Sequence, residues 1–347
     1  VYFIVKTVAE LREGGRMACL VYDSWQSTLF GRWLRSYLDE HCVWHSEEVP
    51  DCPFEGRLID ATIIYATKTA NARDIDQTAA MAAERQGFAA ISDLFVSCRG
   101  LRLKQSDFFM TTIDRQAEEG STPFVKKVAR IGGFSVKSDH PEAALLLERD
   151  GKDGRTFAEI ERRLAAARRS PTENVSILTW CDERPERWFA HRKPPTDLII
   201  FNYYLRHRPR HILNPGGRGY SDNFYGITPR TPVAAYAWLA ALNSTASTLG
   251  VLCRARNQGA GLAKLQLFEY REAQVVDIRE WGSRDLDRLE SLGRQLASED
   301  GKSLTTIKKI DDLIAGVFDD PTLCPSILQQ EVAAVDRRVK RPVRECR

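Results

Sequence analysis

The run Met17–Tyr22, MACLVY, limits the possible folds more than any other segment. Apolar residues in unbroken succession leave no polar side for water. The strand they form is therefore expected to be buried on both faces, as in a parallel sheet covered by helices. The flanking segments agree. Residues 8–16, VAELREGGR, read as the end of a helix closed by Gly14 and Gly15, because glycine supplies a left-handed cap. Ser27–Glu40 reads as a helix with Phe30, Leu34, Tyr37 and Leu38 on one face. Val43–Val49 and Leu58–Thr67 read as strands. This order is the tail of an α/β sheet finished by a hairpin, and it leaves one flank of the Met17–Tyr22 strand unpaired. More sheet is expected from sequence outside this chain or from a partner chain. The apolar opening Val1–Val5 is likewise expected to continue an element of a longer protein.

Further along, Thr69–Gly87 has no strong apolar stripe and reads as a connector. From Ile91 the texture changes to short strands and turns, interrupted by an amphipathic helix at Thr156–Arg169 with Phe157, Ile160, Leu164 and Ala167 on one face. Val175–Trp180 and Asp197–Tyr204 read as strands, and Asn214-Pro215-Gly216-Gly217 as a turn. Pro232–Arg254 reads as one long helix, since Trp238, Leu242, Thr245, Leu249 and Leu252 recur at helical spacing. Helices follow at Arg284–Glu299 and Leu304–Phe318, and the basic tail after Val335 is expected to fray. The expected division is 1–70, a connector 71–90, then 91–275, then a helical segment 276–347 with its basic tail.

The chain has 347 residues, 43% of them hydrophobic, enough for a core without disulfide or metal staples. No apolar run approaches the ~20 residues that span a bilayer, and no secretory leader is visible. A cytoplasmic protein with no membrane partner is expected. The eight cysteines contain no CxxC pair and suit reduced thiols. His41, Cys42, His45 and Cys52 lie close together, but their spacing fits no paired zinc-ligand pattern, so no metal is expected.

Net charge is only +3, but Arg184–Arg230 carries nine Lys/Arg against three Asp/Glu, interleaved with Trp, Phe and Tyr. That mixture suits a phosphate-rich partner. Arg206, Arg208 and Arg210 alternate in an extended stretch and are expected to project to one face, with Arg192, Lys193 and Arg218 beside them. Arg254–Lys264, RARNQGAGLAK, is expected to approach a phosphate through Gly259 and Gly261, with Arg254, Arg256, Asn257 and Lys264 alongside. No Walker loop, GxGxxG turn, HExxH or GxSxG elbow occurs.

Several phrases then occur in a telling order. The opening LREGGRMACLVYDSWQSTLFGRWLRSYL is followed by Arg99-Gly100-Leu101-Arg102-Leu103-Lys104-Gln105-Ser106-Asp107-Phe108-Phe109. Next come Asn223-Phe224-Tyr225-Gly226-Ile227, then Leu242-Asn243-Ser244, then the Arg/Asn/Gly-rich loop from Arg254. In this order the sequence resembles N6-adenine DNA methyltransferases of the restriction-modification type whose target recognition domain follows the catalytic domain. The resemblance covers the C-terminal portion only. It implies an α/β piece, the C-terminal strands of a Rossmann-like methyltransferase sheet in 1–70. A mixed α+β target recognition domain and C-terminal helices follow.

That family flips its target adenine out of the duplex, because N6 cannot be reached in the stack. The resemblance places the stacking aromatic at Phe54, ahead of the Leu58–Thr67 strand. It also implies Arg102 and Lys104 as DNA contacts beside those named above, double-stranded DNA as partner, and S-adenosyl-L-methionine as the methyl donor of the complete enzyme. The family's glycine-rich donor turn and its Asn/Asp/Ser-Pro-Pro-aromatic catalytic loop are both missing here; Asn214-Pro215 continues into Gly216. No catalytic residue is therefore expected in this chain, and alone it is expected to be inactive. It reads as the DNA-recognition half of an adenine-N6 methyltransferase, needing a catalytic segment or partner chain. The alternative is a non-catalytic DNA-binding specificity subunit of a restriction or phage-defence system.

Overall fold

The computed structural model describes residues 2–22, 29–49, 61–69, 87–148, 153–184, 188–257, 262–299 and 304–318, with isolated positions outside these spans. Within them the chain is a mixed α/β protein of several small sheets.

The first unit runs α1 (Tyr2–Glu10), β1 (Arg16–Tyr22), α2 (Leu29–His41), β2 (Cys42–Glu48) and β3 (Ala61–Lys68). β3 lies between β1 and β2 and pairs antiparallel with both, so β1 and β2 run the same way on either side of it. Ile64 faces Cys19 on one side and Ser46 on the other. Ile4 and Val8 of α1, and Leu34 and Leu38 of α2, cover one face of this sheet over Cys42, Ile64 and Ala66. The elements match the sequence pattern, but the expected two-sided burial does not hold. β1 alternates strictly, and Leu20 and Tyr22 are exposed. An apolar run thus serves here as a one-faced strand in antiparallel pairing. On β2, His45 stacks on Tyr65 at 5.0 Å, and Cys42 is buried in the core. The described cysteines are free thiols.

Beyond β4 (Phe88–Ala90), β5 (Phe95–Arg99) joins β11 (Ile199–Asn202), β13 (His211–Leu213) and β15 (Phe224–Pro229) in an antiparallel sheet ordered β13-β11-β15-β5. A second four-stranded sheet is ordered β14-β7-β8-β6, from β6 (Met110–Thr112), β7 (Thr122–Val125), β8 (Glu142–Ala144) and β14 (Gly219–Tyr220). β9 (Leu147–Glu148) precedes α3 (Gly154–Arg169), whose Asp153 cap accepts the Arg155 and Thr156 amides. Ile160, Leu164 and Ala167 of α3 are buried as expected, whereas Phe157 is exposed.

Val175–Asp182 is a helix, α4, and not the expected strand. Its buried residues, Ile177 and Cys181, are four apart, and that is helical spacing. The helix expected over Pro232–Arg254 is two helices, α5 (Ala235–Asn243) and α6 (Thr245–Leu252), broken at Ser244, whose backbone is extended. The break has identifiable partners. The Ser244 hydroxyl accepts the Ser247 amide, and Asp311 accepts both the amide and the hydroxyl of Thr245. α7 (Ser283–Ser298) and α8 (Thr305–Phe318) pack on this pair. At Gly293 the helices approach so closely that an added Cβ would stand 1.9 Å from the Tyr236 carbonyl oxygen. β18 (Gln274–Val276) pairs with β4, and Leu289, Ile310 and Ile314 share one core with Phe95, Trp238 and Leu249. No helix of the described residues is long and apolar enough to cross a membrane.

His211 sits inside that core. Its amide donates to Asn243 Oδ1 at 2.9 Å, and its Nε2 shares a 2.9 Å hydrogen bond with the Tyr270 hydroxyl. Burial pushes the ring's pKa from the usual 6.5 down to about 3. The unfolded chain therefore takes up this proton first. The stability tied to a neutral His211 is complete above pH 6.5 and is lost as pH falls toward 3. Between pH 7 and pH 5 this ring alone is expected to remove about 2 kcal/mol of unfolding free energy. Urea unfolding at the two pH values checks it; an unchanged midpoint would show that the folded protein accepts the proton.

Candidate nucleic-acid interface

Two neighbouring segments and one distant one meet around one pocket. After β5 the chain is pinned at Gly100 and Leu101: an added Cβ on Gly100 would collide with the Ser221 carbonyl at 2.0 Å, and the Leu101 amide donates to the Tyr220 carbonyl at 2.9 Å. Arg102 and Lys104 emerge exposed just beyond that anchor. α4 brings Trp180, whose Nε1 donates to the Trp188 carbonyl at 3.0 Å. The Lys104 ammonium lies 4.3 Å and the Arg184 guanidinium 3.7 Å from the Trp180 ring centroid, both cation–π distances. β10 (Ala190–His191) pairs in parallel with β9 and delivers His191, then exposed Arg192 and Lys193. Arg102, Lys104 and Arg192 line the pocket, about 280 Å³ in volume, together with Trp180, Trp188 and His191. The His191 ring packs edge-on to Phe109 at 4.5 Å, and its Nδ1 makes no hydrogen bond within the protein. Burial lowers its pKa to about 4, against the opposing pull of a backbone hydrogen bond at Phe189, so the ring is neutral near pH 7.

A second basic-aromatic surface forms where β12 (Tyr204–Leu205), β17 (Ala263–Lys264) and β16 (Arg256–Asn257) make a small sheet in the order β12-β17-β16. Lys264 lies 5.2 Å from the exposed Tyr204 ring, and Arg206 is exposed next to it. Arg254 and Arg256 are engaged internally, Arg254 with Glu272 at 3.3 Å and Arg256 with Glu269. Asn257 pairs through its backbone with Ala263. Gly259 and Gly261 lie outside the described residues, as does Phe54.

The alternating arginines do not project to one face. Arg206 points outward, but Arg208 reaches the Asn243 carbonyl and the Thr245 and Thr248 hydroxyls at 3.3–3.4 Å. Arg210 donates to the carbonyls of Ile131, Gly132 and Gly133 at 3.0–3.3 Å. Arg218 is buried and donates to the Ser138 carbonyl at 2.6 Å and the His140 carbonyl at 3.4 Å. Burial pulls the pKa of each of these three guanidiniums below its ordinary value. Strand-like alternation failed here because only Tyr204–Leu205 and His211–Leu213 are paired strands; residues 206–210 form the bend between them. The pocket-forming Trp180, Trp188 and His191, and Arg184 over Trp180, were not singled out by sequence. The one available signal was the aromatic density of Trp180–His191 beside a charge cluster.

No family model matches this sequence, and no curated protein matches it. Among solved structures the chain is similar to the type IIG restriction endonuclease BpuSI, with a TM-score of 0.47 and 11% sequence identity. The likeness covers 96% of this chain and 48% of that one, so the chain spans about half the length of that protein. At that level of likeness neither fold nor function passes from one chain to the other.

Arg210→Ala would strand three carbonyl acceptors. It is expected to cost about 2–3 kcal/mol of stability while leaving the salt dependence of DNA binding unchanged. Thermal melts beside salt titrations of duplex affinity measure both. A flatter salt dependence with full stability would mean that Arg210 faces DNA after all.

Proposed function

We propose that this chain binds duplex DNA as the recognition half of a site-specific adenine-N6 DNA methyltransferase, with the donor-binding and catalytic loops supplied by sequence outside it. One observation carries the DNA reading. Arg102, Lys104, Arg192 and Lys193 are exposed, come from segments some ninety residues apart, and have no carboxylate within ion-pair distance among the described residues. Cations that fold without an internal anion are the ones available to phosphate, and each phosphate they neutralise releases condensed counterions. Arg208, Arg210 and Arg218 are excluded from this role by their internal partners, and Arg254 and Arg256 are already paired. Lys264 and Arg206 supplement the interface beside Tyr204.

The finer reading, adenine methylation in a restriction-modification setting, is supported by the ordered phrases of the sequence. S-adenosyl-L-methionine does not suit the pocket between Trp180 and His191: its sulfonium is a cation, and Arg102, Lys104 and Arg192 would repel it. On this proposal the donor site lies outside the pocket, and no chemical step is assigned to residues here.

Replacing Arg102, Lys104, Arg192 and Lys193 together by alanine is expected to flatten the slope of log K against log salt by ~3–4 units, at ~0.9 per lost phosphate contact. A slope equal to the parental one would overturn the interface.

In the complete enzyme, Phe54→Ala is expected to slow single-turnover methylation by roughly tenfold to a hundredfold, since stacking on an aromatic contributes ~1–3 kcal/mol per base. Phe54→Trp should retain most of the rate, because it keeps a π face. Methylation by Phe54→Ala at the parental rate would remove Phe54 from the flipped-base site.

A further inference from the structure

We infer that the pocket between Trp180, Trp188 and His191 takes a single nucleotide, its phosphate at Arg102, Lys104 and Arg192 on the rim and its base against the rings. The inference rests on the nucleic-acid reading for the role of the rim cations and adds a base subsite to it. Tracking a duplex backbone needs only cations on an open surface. Here the cations surround a concavity of about 280 Å³ with an aromatic wall, room for one unstacked base.

The wall is held in place by the protein. Trp180 is oriented by its hydrogen bond to the Trp188 carbonyl, and the Lys104 and Arg184 cations rest against its ring, so an entering base takes the place of one of them. Trp188 is packed edge-on by Phe108 at 5.7 Å and by Phe189 at 5.6 Å. Trp188 is buried and backs the wall, so Trp180 is the ring that a base would meet; a ring held in this way loses little freedom when a ligand stacks on it.

His191 supplies the remaining demand. It lines the pocket, and a neutral imidazole can pair with a donor or an acceptor of a base edge. An inorganic anion would neutralise the rim and leave the rings unused. An apolar ligand would leave the cations and His191 unsatisfied. A nucleotide meets all three requirements.

Two sources present this chemistry: a free nucleotide, and a nucleotide unstacked within a strand. Equilibrium dialysis of the full chain against the four deoxynucleoside monophosphates and against inorganic phosphate tests the first. Affinity for a paired duplex against the same duplex carrying one bulged nucleotide tests the second. At least one monophosphate is expected to bind about tenfold tighter than phosphate, or the bulged duplex about tenfold tighter than the paired one, in keeping with one base stacked on an aromatic. The arm that shows the advantage identifies the source.

Trp180→Ala should abolish the advantage, read as the ratio of monophosphate to phosphate affinity or of bulged to paired duplex affinity in the same protein. Arg102→Ala with Arg192→Ala, both on the exposed rim, should weaken nucleotide and phosphate alike without lowering the melting temperature. The inference is overturned if neither arm shows an advantage, or if the advantage survives in a folded Trp180→Ala protein. Paired-duplex affinity, read in the same series, reports separately on the DNA reading. Duplex binding without either advantage sinks the pocket alone. Loss of all duplex binding sinks the DNA reading, and the free-nucleotide arm then decides the pocket.

Discussion

The buried polar junction at Asn243–Thr245 is the constraint on which the larger part of the structure depends. A backbone break in the middle of a core would leave amides and carbonyls without partners, at a cost of about 1–3 kcal/mol each. The Thr245 and Ser247 amides and the Asn243 carbonyl each have one. Asn243 accepts the His211 amide and donates to the carbonyls of His211 and Leu239. Asp311, on α8, receives Thr245, and Arg208 closes the other side. A strand, two helices and a C-terminal helix are thereby locked to one point. Asp311 is buried, and burial raises its pKa against the pull of Thr245 and Arg208. Removing one partner would leave charged or polar atoms stranded in the core.

This junction also determines which arginines face solvent. Fixing β13 beside Asn243 turns the preceding bend inward, so Arg208 and Arg210 end on protein carbonyls instead of on a common outer face. Exposed cations stand elsewhere, among them Arg102, Lys104 and Arg192 around Trp180, with half-buried Lys264 beside Tyr204. Internal pairing, more than local charge density, separates exposed cations from struts in this protein.

Periodicity located most elements, because burial acts on every residue of a regular helix or strand. β1, α2, β2, β3, α3, α7 and α8 lie within a few residues of where the pattern put them. Periodicity cannot count layers: MACLVY looked two-faced and, among the described residues, is covered on one side only. It also cannot see distant caps. The apolar repeat runs unbroken through Ser244, and only Asp311, sixty-six residues away from Thr245, makes the break stable. Val175–Trp180 was misread because a short apolar segment with β-branched residues fits either period. Residue type singled out Arg102, Lys104 and Arg192, but the pocket they line with Trp180 and His191 arises from the pairing of β9 with β10, which local sequence does not encode.

Amide hydrogen exchange with and without duplex DNA tests the central claim most directly. Binding should slow exchange at residues 101–104, 180–184 and 190–193, while 208–213 and 218–220, inside the fold, keep their free-state rates. Protection confined to 206–218 with no change around Trp180 would contradict the account.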